Sequence, residues 1–139
     1  MTLGEVGHEG GAVNRILIVE DDPATRQGLD ALLREAGYQV KAVGSVPAAM
    51  RMLRGNEFDL VIADVRVDGY NGLQLVVANT KRIPAIFVTA FADSTLEAEA
   101  RRVGAEFVLK PVEPRALLAI VAHKLQGTMS AAVSTSLPH

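Results

Sequence analysis

Cysteine is absent from this chain of 139 residues, which excludes thiol catalysis, thiolate metal sites and disulfides. A charge excess is missing too: 14 basic residues stand against 16 acidic ones, and the net charge of −2 offers no electrostatic footprint for nucleic acid. No apolar run approaches the roughly eighteen residues of a membrane span. The segment Met1 to Val13 is acidic and glycine-rich, at Gly4, Gly7, Gly10 and Gly11, and lacks the basic region and apolar block of a signal peptide. A reducing cytoplasm fits such a chain. Histidine is scarce: His8 and His139 fall in terminal segments and His123 on the outer face of the last expected helix, so none stands in a catalytic setting.

What is present is apolar patterning. A hydrophobic content of 49% and a mean hydropathy of +0.22 describe a compact globular chain, long enough for one domain with its own core. Between residues 15 and 126 the pattern alternates strand and helix. Strands are expected at Arg15 to Glu20, Gln39 to Val43, Phe58 to Ala63, Ala85 to Thr89 and Glu106 to Leu109. The first helix starts at Pro23, capped by Asp22, carries Leu29, Leu32, Leu33 and Ala36 on one face, and stops at Gly37. The second is capped by Ser45, carries Val46, Ala49, Met50 and Leu53, and stops at Gly55.

A turn with Gly69, Asn71 and Gly72 leads into a third helix through Leu73, Val76, Val77 and Thr80. The fourth runs from Asp93 to Val103 with a thin stripe of Leu96, Ala100 and Val103; the fifth buries Leu117, Leu118, Val121 and Leu125. Strands this apolar are covered on both faces, and helices between them imply right-handed parallel crossovers. The expected fold is α/β: a doubly wound, five-stranded parallel sheet of the flavodoxin-like type, in three α/β/α layers. Residues 1–14 and 127–139, small and polar, read as loose tails, the second as a tail or a linker.

Ligands in such sheets bind beyond the carboxyl ends of the strands. Asp64 closes the run Phe58 to Ala63, and Glu20-Asp21-Asp22 closes Ile16 to Val19, so carboxylates gather at one sheet edge. Like charges brought together and dehydrated destabilise the fold unless a cation joins them, and oxygen-only ligands suit Mg²⁺ or the similar Mn²⁺. Thr89 and Lys110 end the fourth and fifth strands at the same edge and can offer a hydroxyl and an ammonium to a phosphoryl oxygen. A carboxylate can attack phosphorus to form an acyl phosphate. Asp64, alone at the end of the central strand, is the expected nucleophile, Asp21 the first metal ligand, and Glu20 an acid acting beside it or through water.

Val19-Glu20-Asp21-Asp22, the lone Asp64 with Gly72 downstream, Thr89-Ala90, and Gly104-Ala105 followed by Phe107-Val108-Leu109-Lys110-Pro111 resemble the receiver domain of two-component response regulators, over about residues 15 to 126. The resemblance implies that Asp64 accepts a phosphoryl group from a histidine kinase or phosphotransfer protein. It implies a metal shell of Glu20, Asp21, Asp64 and the backbone carbonyl of Arg66. Thr89 then serves as switch hydroxyl, Lys110 reads the phosphate, and Phe107 is the switch aromatic that turns inward. A cis Lys110-Pro111 bond is implied as well, a conformation tolerated only before proline. Arg66 and Phe91 occupy the two positions that tune phosphoryl lifetime, with Phe91 shielding the acyl phosphate from water.

Two departures accompany the likeness. Asp68 stands where the family carries proline, and the stretch from Asp64 to Thr89 is a few residues short, which trims the third helix or its exit loop. The implied activity is that of a signalling domain assisting its own phosphorylation and dephosphorylation, not of an enzyme acting on other substrates. Its output face comprises the fourth helix, the fifth strand and the fifth helix, and its partners are the phosphodonor, an output protein or domain, or a second copy bound on phosphorylation. Direct nucleic-acid and membrane binding are not expected. A phosphorylation-independent scaffold with the same fold is the alternative. An aspartyl-nucleophile phosphatase is disfavoured because Arg66 stands two residues past Asp64, where that chemistry needs an acid; a flavin-binding role is excluded because Glu20-Asp21-Asp22 fills the loop that would cradle the flavin phosphate.

Overall fold

The computed structural model describes residues 13–67, 70–72, 74–75, 83–90 and 93–134. Its elements are β1 (Arg15–Val19), α1 (Pro23–Glu35), β2 (Gln39–Val43), α2 (Val46–Gly55), β3 (Leu60–Ala63), β4 (Arg66–Val67), β5 (Tyr70–Asn71), β6 (Ala85–Thr89), α3 (Ser94–Arg102), β7 (Glu106–Leu109) and α4 (Pro114–Ser134). Five strands form one parallel sheet in the order β2-β1-β3-β6-β7. This is the doubly wound, flavodoxin-like topology that the alternating pattern implies, and the order reverses at β1, next to β3.

Alternation along each strand divides the core between the two faces. Leu17, Val19, Val61, Ala63 and Phe87 pack with Val46, Ala49 and Leu53 of α2 and Ala100 of α3. Ile16, Ile18, Leu60, Ile62, Ile86 and Val88 pack with Leu33 of α1 and Leu117, Val121 and Leu125 of α4. Helix boundaries follow local chemistry. Asp22 accepts from the backbone and the hydroxyl of Thr25 at 2.9 and 2.6 Å, while Gly37, at φ +102°, lets Tyr38 N–H reach back to Leu33 O at 3.2 Å. The Ser45 hydroxyl caps α2 by accepting from Ala48 N–H at 3.2 Å.

Several expectations are corrected. The ladder of β3 begins at Leu60, although Phe58 is still buried beneath the Arg15 guanidinium, 5.2 Å from its ring centre. Ala36 is exposed because it caps α1 instead of lying within it. Val103 is 41% exposed because it is the C-cap of α3, where the turn to Gly104 (φ +82°) carries it off the stripe. Leu118 is only partly buried. Helix α4 continues to Ser134, through Gly127 and into the segment 127–139 expected to be a loose tail, where Met129, Ala131 and Ala132 are good helix formers. Where a turn was expected after Asp64, β4 and β5 form a short antiparallel hairpin, with Arg66 opposite Asn71 and Val67 opposite Tyr70. Most of the third expected helix (Leu73, Val76, Val77 and Thr80) lies outside the described residues, as do Asp68, Gly69 and Phe91. Among the described residues no helix is long and apolar enough to cross a membrane.

Candidate functional site

The parallel register carries the four strand ends β1, β3, β6 and β7 to one edge of the sheet. Backbone bonds pin the residues just beyond them: Asp64 N–H donates to Val19 O at 3.1 Å, Glu20 N–H to Val43 O at 3.0 Å and Lys110 N–H to Thr89 O at 2.8 Å. Side chains from opposite ends of the sequence therefore meet. The Lys110 ammonium donates to Oε1 of Glu20 at 2.8 Å and to Oδ2 of Asp64 at 2.9 Å. The remaining carboxylate oxygens are also engaged, Glu20 Oε2 by Asp22 N–H at 3.0 Å and Asp64 Oδ1 by Arg66 N–H at 3.1 Å.

Glu20 is 3% exposed and Thr89 is wholly buried, so this is a dehydrated ionic cluster with one open side at Asp21 and Asp22. Burial pulls the Lys110 pKa down, but the hydrogen bonds and charges of Glu20 and Asp64 outweigh it and raise the value above the usual 10.5. Lys110 is consequently an ammonium at any physiological pH. Asp22, held by the Thr25 hydroxyl and backbone, has its carboxyl below the ordinary value of 3.8 and serves as the cap of α1.

No three metal-ligating side chains of the described residues form a ready cluster. The donor chemistry nevertheless fits a hard dication. Glu20 and Asp64 set two carboxylates against the Lys110 ammonium, and the exposed Asp21 follows Glu20 in the chain as a third oxygen donor at the same sheet edge. Of the two acids after β1, it is Glu20 that turns inward to share Lys110 with Asp64, while Asp21 is exposed.

The loops around the cluster are tightly held. Gly72 N–H donates to Val65 O at 2.5 Å, and a Cβ on Gly72 would collide with the carbonyl oxygen of Asp64. Arg26, one turn into α1, donates from Nη1 to the carbonyl oxygens of Glu20 at 2.9 Å and Asp21 at 3.4 Å. No motif in the sequence singles Arg26 out; the signal available was its place six residues past Glu20 on the inner side of the first helical turn. Phe107 is half-buried in the core on the α3 side, opposite Phe87 in the ladder. The Lys110–Pro111 bond is cis. Beyond it, a cavity of about 770 Å³ opens between α1 and α4, walled by Leu29, Leu32, Val88 and Leu117 and by the bare backbone of Gly28.

Comparison with known proteins agrees with this geometry. Residues 16–122 match the family model of the response regulator receiver domain. The chain is 38% identical over 119 residues to the response regulator protein FleR of Pseudomonas aeruginosa, covering 83% of this chain and 25% of that protein. It is 32% identical over 126 residues to the transcriptional regulatory protein FixJ of Bradyrhizobium diazoefficiens, covering 88% and 62%. It thus spans less than two thirds of these relatives' length. Among solved structures, a CheY-like receiver domain protein from Methanospirillum hungatei superimposes with a TM-score of 0.82 at 26% identity, covering 86% of this chain and 99% of that one. The non-phosphorylated HemR receiver domain from Leptospira biflexa gives 0.74 at 32%, covering 81% and 94%. Relatives, fold and strand-end residues converge: the chain belongs to the response regulator receiver domain family, whose general function is phosphoryl acceptance in two-component signalling.

Proposed function

We propose that the protein is a phospho-accepting switch in which Asp64 takes a phosphoryl group from a phosphohistidine on a histidine kinase or phosphotransfer protein. The observation that supports this most is the Lys110 ammonium held between the carboxylates of Glu20 and Asp64, a cation already posted where phosphoryl oxygens would arrive. In the reaction, an Asp64 carboxylate oxygen forms a P–O bond, the P–N bond to the donor imidazole breaks, and the released imidazole nitrogen takes up a proton. Lys110 then turns its ammonium to a phosphoryl oxygen, and the buried Thr89 hydroxyl approaches another. Mg²⁺ (or Mn²⁺), held by Glu20, Asp21, Asp64 and the carbonyl of Arg66, would supply neutralisation of the phosphoryl oxygens.

Phe107, already half inside the core, follows Thr89 inward and reshapes the face formed by α3, β7 and α4, which a partner protein, an output domain or a second copy reads. Arg66 and Phe91 would set how long the phosphoryl group survives. A donor charged from ATP places the exchange in the cytoplasm. The departure at Asp68 favours a second reading, a scaffold that uses the fold without phosphorylation.

Intact-protein mass after incubation with acetyl phosphate and Mg²⁺ separates the two. One added phosphoryl group on the wild type and none on Asp64→Ala is the expected result. No addition to either would overturn the switch in favour of the scaffold, with Asp68→Pro as the reversion to make next.

A further inference from the structure

The geometry points to Arg26 as a positioning residue that aims the acid pair Glu20-Asp21 at the site, an inference that rests on the phosphoryl-acceptor reading above. Strand β1 ends at Val19 and β2 at Val43, so the ladder has no further rung for the carbonyl oxygens beyond them. The carbonyls of Glu20 and Asp21 are instead both taken by Nη1 of Arg26, at 2.9 and 3.4 Å. One guanidinium nitrogen therefore extends the sheet past its last strand pair and orients the two peptide planes from which the acids spring. The following residue is tied as well, because Asp22 caps α1, the helix that carries Arg26. Side chains of Glu20 and Asp21 thus leave a backbone anchored to both the sheet and the helix.

Gly44 completes the device. A Cβ there would lie 2.9 Å from Nη1 of Arg26, with the nearest backbone atom, Glu20 O, at an ordinary 3.8 Å. The absent side chain leaves the space that the guanidinium fills. Gly44→Ala should push the far end of a flexible side chain off its carbonyls while leaving the backbone room enough. Arg26 also carries a positive charge within a few ångströms of the acid pair. If it acted only through that charge, removing it would strengthen binding of a dication. Acting by position, its removal weakens that binding.

The sign of the change is the test. Mg²⁺ affinity of the full chain is measured by titration calorimetry for wild type, Arg26→Met and Gly44→Ala, alongside the Mg²⁺ dependence of acetyl phosphate labelling and a thermal melt. Both variants are expected to bind Mg²⁺ about ten- to a hundredfold more weakly, the loss typical when a partner that orients a ligand is removed. Labelling should need correspondingly more Mg²⁺ yet approach the wild-type rate at saturation. Unchanged or tighter Mg²⁺ binding in either cooperatively folded variant would overturn the inference. Should Arg26→Met fail to unfold cooperatively, Gly44→Ala, which keeps the charge and every donor, decides alone. A wild type that neither binds Mg²⁺ nor takes label would overturn the phosphoryl-acceptor reading itself and this inference with it.

Discussion

At the scale of single residues, Lys110 governs the site's electrostatics. Its ammonium is the partner of a carboxylate that is 3% exposed, Glu20, and of Asp64. Replacing it by methionine leaves Glu20 uncompensated. Breaking a fully buried pair costs 3–5 kcal/mol, and with Lys110 itself partly open to water we expect a loss of about 2 kcal/mol, read as a shift in the urea midpoint. The pH dependence has a definite sign. Because the folded-state pKa is raised above 10.5, the stabilisation is complete below that unfolded value and fades as pH climbs through the higher folded one. The gap between wild type and Lys110→Met should therefore hold steady from this group through neutral pH and narrow only in strong alkali. A gap that narrowed near neutrality would mean that Lys110 is not held as the geometry indicates. Asp64, Thr89 and Lys110 were legible in the sequence because each ends an apolar strand. The inward turn of Glu20 was not, since two adjacent acids look alike until the backbone decides which one points into the sheet edge.

At the scale of elements, α1 carries the site's nearest helix end, and its weakest residue is Gly28. A Cβ there meets nothing within 4 Å, and the φ is an ordinary helical one. Gly28→Ala should stabilise the protein by about 0.5–1 kcal/mol through helix propensity and a less flexible unfolded chain, seen as a higher urea midpoint at unchanged slope. A loss of stability would show that the wall of the neighbouring cavity closes more tightly than the structure has it. Helix starts at Asp22 and Ser45 and the stop at Gly37 were readable because capping chemistry is local. The β4–β5 hairpin was missed although Asp68-Gly69, a pair suited to a two-residue hairpin turn, sits between Arg66-Val67 and Tyr70-Asn71. Strands of two residues are too short to show alternation, so only the turn dipeptide signals them.

At the scale of the whole molecule, Phe87 joins the central part of the sheet to α2 and α3 and is wholly buried. Phe87→Ala should cost about 3–5 kcal/mol, a large share of the total stability of a domain this size, and lower the urea midpoint accordingly. Acetyl phosphate labelling should fall with the folded fraction and no further, since Thr89 follows on the same strand but its own contacts are unchanged. Features that depend on neighbours along the chain could be read from the residues alone. They include the strand–helix alternation that selects a parallel sheet, the caps, and the residues that end each strand. Features that depend on neighbours brought together by folding emerged only in three dimensions: Lys110 bridging to Glu20 and Asp64 from 90 and 46 residues away, and Arg26 reaching back to close a ladder that had run out of strand. Periodicity reports which face of an element is buried, whereas the aim of a polar side chain is set by which unsatisfied partner the packed fold brings within hydrogen-bond reach.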